Sequence, residues 1–204
     1  MGTSAAKHWD TVYGTKAATE VSWFQANPST SLRLLTSSVS SAGAALDVGA
    51  GASSLADALL DAGWSDITVL DVSAQALRAA RDRLGERGDM VSFVVVDLLS
   101  WQPERPYDGW HDRALFHFLV RQVDREQYLA TALGAISPGG VMVLGTFAPD
   151  GPTECSGLRT ARYDADALAA AFAPAFKLLH NEREEHVTPG GAIQPFTWVV
   201  LQRV

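Results

Sequence analysis

The sequence predicts an α/β fold: a seven-stranded sheet, parallel through five strands and finished by an antiparallel hairpin, with helices on both faces. Three observations predict it. Short β-rich runs alternate with helical patterns through most of the chain. Those runs are apolar on both faces, as strands covered by helices on each side are. The alternation ends after Ala173, where two β-rich segments flank a turn rich in Gly and Pro.

The elements follow in order. A helical stretch, Thr30–Ser38, precedes the first strand, "AALDVG" (Ala44–Gly49). Helical patterns at Ser53–Ala62 and Ser73–Leu84 bracket "ITVLDV" (Ile67–Val72), and "VSFVVVDL" (Val91–Leu98) comes next. Gly109–Leu115 supplies a fourth strand, Asp124–Ile136 a helix, "VMVLGTF" (Val141–Phe147) a fifth strand and Asp164–Ala173 a last helix. Ser53, Ser73, Asp124 and Asp164 carry the short polar side chains that cap helix N-termini. The segments "FKLLHNEREEHVT" and "FTWVVLQRV" then pair across "PGGAIQP". With neither repeat nor long linker, the 204 residues read as one domain, an N-terminal arm over 1–42 and a core over 43–204.

Composition narrows the function. The net charge is −7, and Arg78, Arg81, Arg83 and Arg87 are interleaved with Asp82, Glu86 and Asp89, the pattern of a solvated helix face. Nucleic acid is therefore not the expected partner. No apolar run reaches the roughly 18 residues of a membrane span. Ala6 stands where a myristoylation site has Ser or Thr, so no lipid anchor is expected. The single cysteine, Cys155, allows no internal disulfide and suits a cytoplasmic address. Without spaced Cys or His partners it gives no metal signature. A monomer or homodimer acting on a small molecule is the expectation.

The segment "LDVGAGASSLADALL" (Leu46–Leu60) runs from a strand through a glycine turn into a helix, where α/β folds bind ligands. Two chemistries use such a turn. A dinucleotide places its pyrophosphate there; Ser54 then replaces the third glycine, and Asp71 lies about 20 residues on, where a ribose-binding acid belongs. S-adenosylmethionine has no phosphate and is cationic. Asp47, two residues before Gly49, repels a pyrophosphate and attracts a cation. Asp97 closes the third strand, so three successive strands end in acids. Asp71 suits the ribose hydroxyls, and Asp97 the adenine amine. The Leu98 N–H suits a ring nitrogen, and Ala50, Gly51 and Val72 complete the expected donor contacts. A nicotinamide-dependent oxidoreductase leaves Asp47 and Asp97 without a use.

With "LDVGAGAS", "VLDVS" and "VVVDLL", the chain resembles the class I S-adenosylmethionine-dependent methyltransferases along nearly its whole length. That resemblance implies a Rossmann-like sheet in the order 3-2-1-4-5-7-6. "WHDRALFHFL" and the arm "YGTKAATEVSWFQANPSTSLRLL" resemble the thiopurine and tellurite-resistance group. His111 is an insertion against that group's Trp-Asp-Arg, and the arm lacks its Pro-Trp-Asp, so the acceptor does not carry over.

On this reading the exit of the fourth strand adjoins the methyl group. His111 or His117 would take a proton from the acceptor, with Asp112 beside them. Arg113 would clamp the donor carboxylate or a substrate anion, or else pair with Asp112 to hold the loop. Trp23 and Phe24 would cover the sulfonium, with Trp9 and Tyr13 as weaker versions of the same idea. Glu154, Cys155 and Arg159, with His186, Thr188 and Gln194 of the hairpin, are candidates for the acceptor pocket. A protein lysine methyltransferase and a cofactor-binding domain without turnover are the alternatives.

Overall fold

The computed structural model describes residues 2–204; Met1, which opens the arm assigned above, lies outside them. Strands β1 (Ala45–Val48), β2 (Ile67–Asp71), β3 (Val91–Val95), β4 (Tyr107–Arg113), β5 (Ile136–Phe147), β6 (Phe176–Val187) and β7 (Ile193–Arg203) form one sheet, in the order β3-β2-β1-β4-β5-β7-β6. The first five strands run parallel, and β7 lies antiparallel between β5 and β6. The fold class expected from the sequence is the one observed. Strand order reverses between β1 and β4, which opens a crevice at their carboxyl ends.

The helices are α1 (Gly2–Thr15), α2 (Ser29–Ser38), α3 (Leu55–Asp61), α4 (Ala74–Leu84), α5 (Gln122–Ala135) and α6 (Ala165–Ala170). Two cores result, one on each face of the sheet. Leu46, Val48, Trp110 and Met142 pack on Tyr128 and Ala132 of α5 and Leu168 of α6. Ala45, Ile67, Val69 and Val143 pack on Leu34 and Leu35 of α2, Leu55 and Leu59 of α3 and Leu77 of α4. Every residue of β1 and β2 is buried, which is why those runs are apolar on both faces.

Two caps behave as expected: Ser73 Oγ accepts from the Ala76 N–H, and Asp164 Oδ1 from the Ala167 N–H. The other two do not. Ser54, not Ser53, occupies the cap position of α3, and Ser53 Oγ accepts from Leu55 N–H. Asp124 lies inside the first turn of α5, buried and bound by Arg121, because an acid there is held both by its arginine and by the positive helix end. Strand β5 starts at Ile136, earlier than its apolar run, through an irregular register between Tyr107 and Gly109. Helix α1 lies in the arm, where the sequence reading placed none. Among the described residues, no helix is long and apolar enough to cross a membrane.

Candidate active site at the strand tips

β1 leads into a turn where Gly49 and Gly51 have φ of +61° and +56°. A β-carbon at Gly49 would lie 2.4 Å from Leu115 Cδ1, and one at Gly51 2.2 Å from Tyr13 Oη. Conformation and crowding both demand glycine. Arg83 of α4 fastens the turn, donating to the carbonyls of Ala52 (2.8 Å) and Ser53 (2.5 Å). Asp71, at the tip of β2, accepts from the N–H groups of Gly51 (2.8 Å) and Ser73 (2.7 Å). Burial lifts its carboxyl to about 6, against the pull of those N–H bonds. Each oxygen keeps a second lone pair.

A cavity of about 490 Å³ lies beyond these tips. Asp47, Gly49, Ala50, Asp71, Val72, Asp97 and Leu98 line one side of it; Gly51 is covered by the Tyr13 hydroxyl. Asp97 Oδ1 also accepts from Leu99 N–H at 3.0 Å, starting a short 3₁₀ turn.

The arm roofs the cavity. Asp10 of α1 accepts from Ser73 Oγ (2.7 Å) and Gln75 N–H (3.2 Å), docking α1 on the start of α4. Trp9 meets Trp23 edge-on at 5.8 Å, and Trp23 Nε1 donates to Tyr13 Oη at 3.1 Å. Burial, then the neighbouring Asp71, push the Tyr13 hydroxyl above its ordinary range. Phe24 lines the cavity beside them. Four contacts hold this segment down. His186 Nε2 donates to Ser22 O (2.7 Å) and Arg113 Nη1 to Trp23 O (2.8 Å). Gln25 Nε2 donates to Glu184 Oε1 (2.8 Å), and Ser54 Oγ to Gln25 O (2.8 Å).

β4 explains the charges in its apolar sequence. Side chains alternate along a strand, so His111 and Arg113 face the cavity and Asp112 faces α5. Asp112 is fully buried and accepts from Leu115 N–H (2.9 Å) and from Tyr128 OH (2.7 Å), which accepts from Trp110 Nε1 (2.9 Å). This corrects the catalytic role expected for Asp112: it closes the loop after β4. The considered pairing with Arg113 also fails, since the two lie on opposite faces.

His111 Nδ1 and Asp47 Oδ1 are 2.7 Å apart across the β1–β4 register, both buried. A carboxylate accepts, so Nδ1 carries a proton, and in the neutral form of the ring the lone pair lies at Nε2. Among the described residues, Nε2 and Asp47 Oδ2 are buried without partners, as is Ser31 Oγ of α2, which lines the same cavity. His117 is different. Its Nδ1 accepts from Phe147 N–H at 3.3 Å, and its ring lies 4.3 Å from that of Phe147. Burial, then the charge of Arg113, push it down to about 3. It stays neutral with its proton on Nε2, so the proton-accepting role expected for His117 gives way to a donor. Arg113 rests over Phe196 at 4.7 Å, and burial lowers it to about 10 against the pull of Glu184. Its Nε and Nη2 are sealed from solvent and have no partner among the described residues.

Of the acceptor-pocket candidates, Cys155 and Arg159 line the cavity and His186 holds the arm, whereas Glu154 points to solvent. Thr188 and Gln194 lie outside the cavity; Thr188 Oγ1 accepts from Ala192 N–H within the hairpin turn. Asp10, Ser31, Glu184 and Phe196 were not anticipated. Only the arm left a trace, in the four-residue spacing of Ala5, Trp9 and Tyr13, all of which line the cavity.

The seven-stranded sheet matches a Rossmann-like methyltransferase fold, and residues 45–140 match the family model described as a methyltransferase domain. The chain is 33% identical over 101 residues to a trans-aconitate 2-methyltransferase of Rhizobium etli, covering 49% of this chain and 37% of that protein. It is 28% identical over 86 residues to a malonyl-[acyl-carrier protein] O-methyltransferase of Ilyobacter polytropus, covering 42% and 32%. The matched region is thus about a third of the length of these curated relatives. A solved S-adenosylmethionine-dependent methyltransferase from Anabaena variabilis aligns over 98% of this chain and 93% of its own, with TM-score 0.77 and 15% identity. The 1,6-didemethyltoxoflavin-N1-methyltransferase of Burkholderia thailandensis, solved with 1,6-didemethyltoxoflavin and S-adenosylhomocysteine, aligns over 99% and 85%, with TM-score 0.70 and 20% identity. At these identities the structures establish the fold.

Proposed function

We propose that the protein is an S-adenosylmethionine-dependent methyltransferase that modifies a small-molecule acceptor by in-line transfer. One observation carries the reading: three neighbouring strand tips bring Asp47, Asp71 and Asp97 around one cavity beside the Gly49–Gly51 turn. Such a rim accepts hydrogen bonds and draws a cation, and it repels a diphosphate. The residues fit the donor. Asp47 Oδ2, a buried acceptor without a partner, suits its ammonium. The spare lone pairs of Asp71 suit its ribose, Asp97 and Leu98 its adenine, and Trp23 with Tyr13 the cover over its sulfonium.

The bound donor supplies an electrophilic methyl group on a sulfur that leaves with the C–S electron pair. The chain aligns the acceptor's lone pair with that bond, excludes water under the tethered arm and, where the nucleophile carries a proton, takes it at His111 Nε2. Asp47 keeps His111 in the tautomer that leaves Nε2 open. The relatives named above act on trans-aconitate and malonyl-[acyl-carrier protein], and the Burkholderia neighbour binds 1,6-didemethyltoxoflavin, so acceptors on this fold are diverse. The arm and the Trp110–Arg113 segment resemble those of the thiopurine and tellurite-resistance group, in which the arm folds over the donor.

Calorimetric titration with S-adenosylmethionine, S-adenosylhomocysteine and NAD tests the reading. Binding of the two adenosyl compounds and none of NAD is expected; the reverse overturns it. An acceptor screen with methyl-labelled donor then tests turnover.

A further inference from the structure

We infer that the acceptor is an apolar molecule bearing a carboxylate, gripped by Arg113 and assisted by His117; this rests on the methyltransferase reading above. The guanidinium of Arg113 uses Nη1 to hold the Trp23 carbonyl at 2.8 Å. Nε and Nη2, which share the opposite edge, meet neither a protein acceptor nor solvent. That edge is the parallel fork that binds a carboxylate through two oxygens. Elsewhere the chain fills the same edge with an aspartate. Arg121 gives Nε and Nη2 to Asp124 at 2.7 and 2.6 Å, and Arg83 gives its pair to Asp57 at 3.3 and 2.7 Å. On Arg113, which lines the cavity, no aspartate fills the edge.

The nearest acid does not serve it. Glu184 spends its two oxygens on Gln25 Nε2 (2.8 Å) and Trp198 Nε1 (2.7 Å). A buried guanidinium edge without a counter-charge is costly unless a ligand completes it. His117 adds a third unpartnered donor, Nε2–H, its Nδ1 being occupied by the Phe147 N–H. Both side chains lie against Phe196, Arg113 Cζ at 4.7 Å and the His117 ring at 6.4 Å from its centroid. Phe147, Phe118 and Leu158 complete an apolar wall, and Arg159 stands exposed at the rim. This chamber offers donors and apolar surface, which an aryl or alkyl carboxylate matches.

Position separates the fork from the donor's own carboxylate. Phe196 belongs to β7, and β5 lies between β7 and β4, so a guanidinium resting over the Phe196 ring leans from β4 toward β5 and β7, away from β1.

Titration of the full chain with phenylacetate and with phenylacetamide, with and without S-adenosylhomocysteine, tests the inference. Wild-type protein should bind the acid at least about tenfold more tightly than the amide, the weight of a charge-assisted fork. Arg113→Met should erase that preference, and Arg113→Lys should restore part of it through charge without the fork. Because Nη1 also tethers the Trp23 carbonyl, any fall in S-adenosylhomocysteine affinity should be alike in the two variants, whereas the acid preference should separate them. Equal binding of acid and amide by wild type, or binding of neither, overturns the inference without any variant having to fold. So does an Arg113→Met protein that loses S-adenosylhomocysteine and keeps the acid preference, since the fork would then hold the donor. Should wild type ignore S-adenosylhomocysteine yet prefer the acid, the methyltransferase reading falls and the carboxylate site stands.

Discussion

The two sides of the cavity are built from opposite kinds of hydrogen-bonding group. On the β1–β3 side the unspent groups accept: Asp47 Oδ2 and the spare lone pairs of Asp71 and Asp97. On the β4–β7 side they donate: Arg113 Nε and Nη2, and His117 Nε2–H. The seam between them is the β1–β4 pair, bridged by Asp47 and His111. The division falls where strand order reverses, so the topology that opens the crevice also separates its charges. A cationic donor on one side and an anionic acceptor on the other would each meet complementary groups, with the transferred methyl crossing the seam.

The sharpest way to break this comparison is at the seam. His111→Ala should lower turnover about 100-fold for an acceptor whose nucleophile carries a proton, the usual share of a general base. Donor affinity should hardly change. A loss of donor binding with intact turnover would move His111 to the donor side. Little loss of turnover, together with the acid preference at Arg113, would mark the carboxylate itself as the methylated group, since it brings no proton to remove.

Next in size is the donor side. Asp71→Asn should weaken S-adenosylmethionine binding about 30-fold, the worth of hydrogen bonds to a charged group, and leave phenylacetate binding near the wild-type value. Titration calorimetry with both ligands checks it; equal losses would erase the distinction between the sides. A smaller effect follows from pH. Burial lifts Asp71 to about 6 from the usual 3.8, so donor affinity should fall as pH drops through about 6. Stability runs the other way. The folded carboxyl holds its proton more tightly than the unfolded one, so its contribution is complete below about 4 and is lost as pH rises through about 6. Burial also lifts Asp112 to about 6, which adds to the stability slope and nothing to donor affinity. Urea midpoints and donor titrations across this window should therefore trend oppositely, and parallel trends would refute the assignment.

What the sequence made legible was local. A five-residue apolar run, a Gly-x-Gly turn and an acid at a strand tip are each written in adjacent residues, and each appears where expected. The role of Asp112 was not legible, because one step of strand alternation decides whether a side chain meets the cavity or α5. Arm tethering was hidden for another reason: Gln25 and Glu184 are 159 residues apart in sequence. The open fork of Arg113 is less visible still, since lacking a partner is a property of every neighbour at once. His117 was read as a titratable base from its residue type; only its burial between Phe147 and Phe118 shows a neutral donor.

The smallest effect on the cavity should come from the other face of β4, one residue away from His111 and Arg113. Tyr128 OH sits between Trp110 Nε1 and Asp112 Oδ2, at 2.9 and 2.7 Å, within the core under α5. Tyr128→Phe keeps the ring that packs on Phe116 and Phe172 and leaves an indole N–H and a carboxylate oxygen unpaired. It should cost about 1–2 kcal/mol of stability in urea titration. Adding Asp112→Asn should cost less than the sum of the two changes, because both break one network. Affinities for S-adenosylhomocysteine and phenylacetate should move by less than about twofold, since the altered groups touch neither side of the cavity. A selective loss of either ligand from Tyr128→Phe would mean that the α5 face takes part in binding, and the boundary drawn by strand alternation along β4 would have to be abandoned.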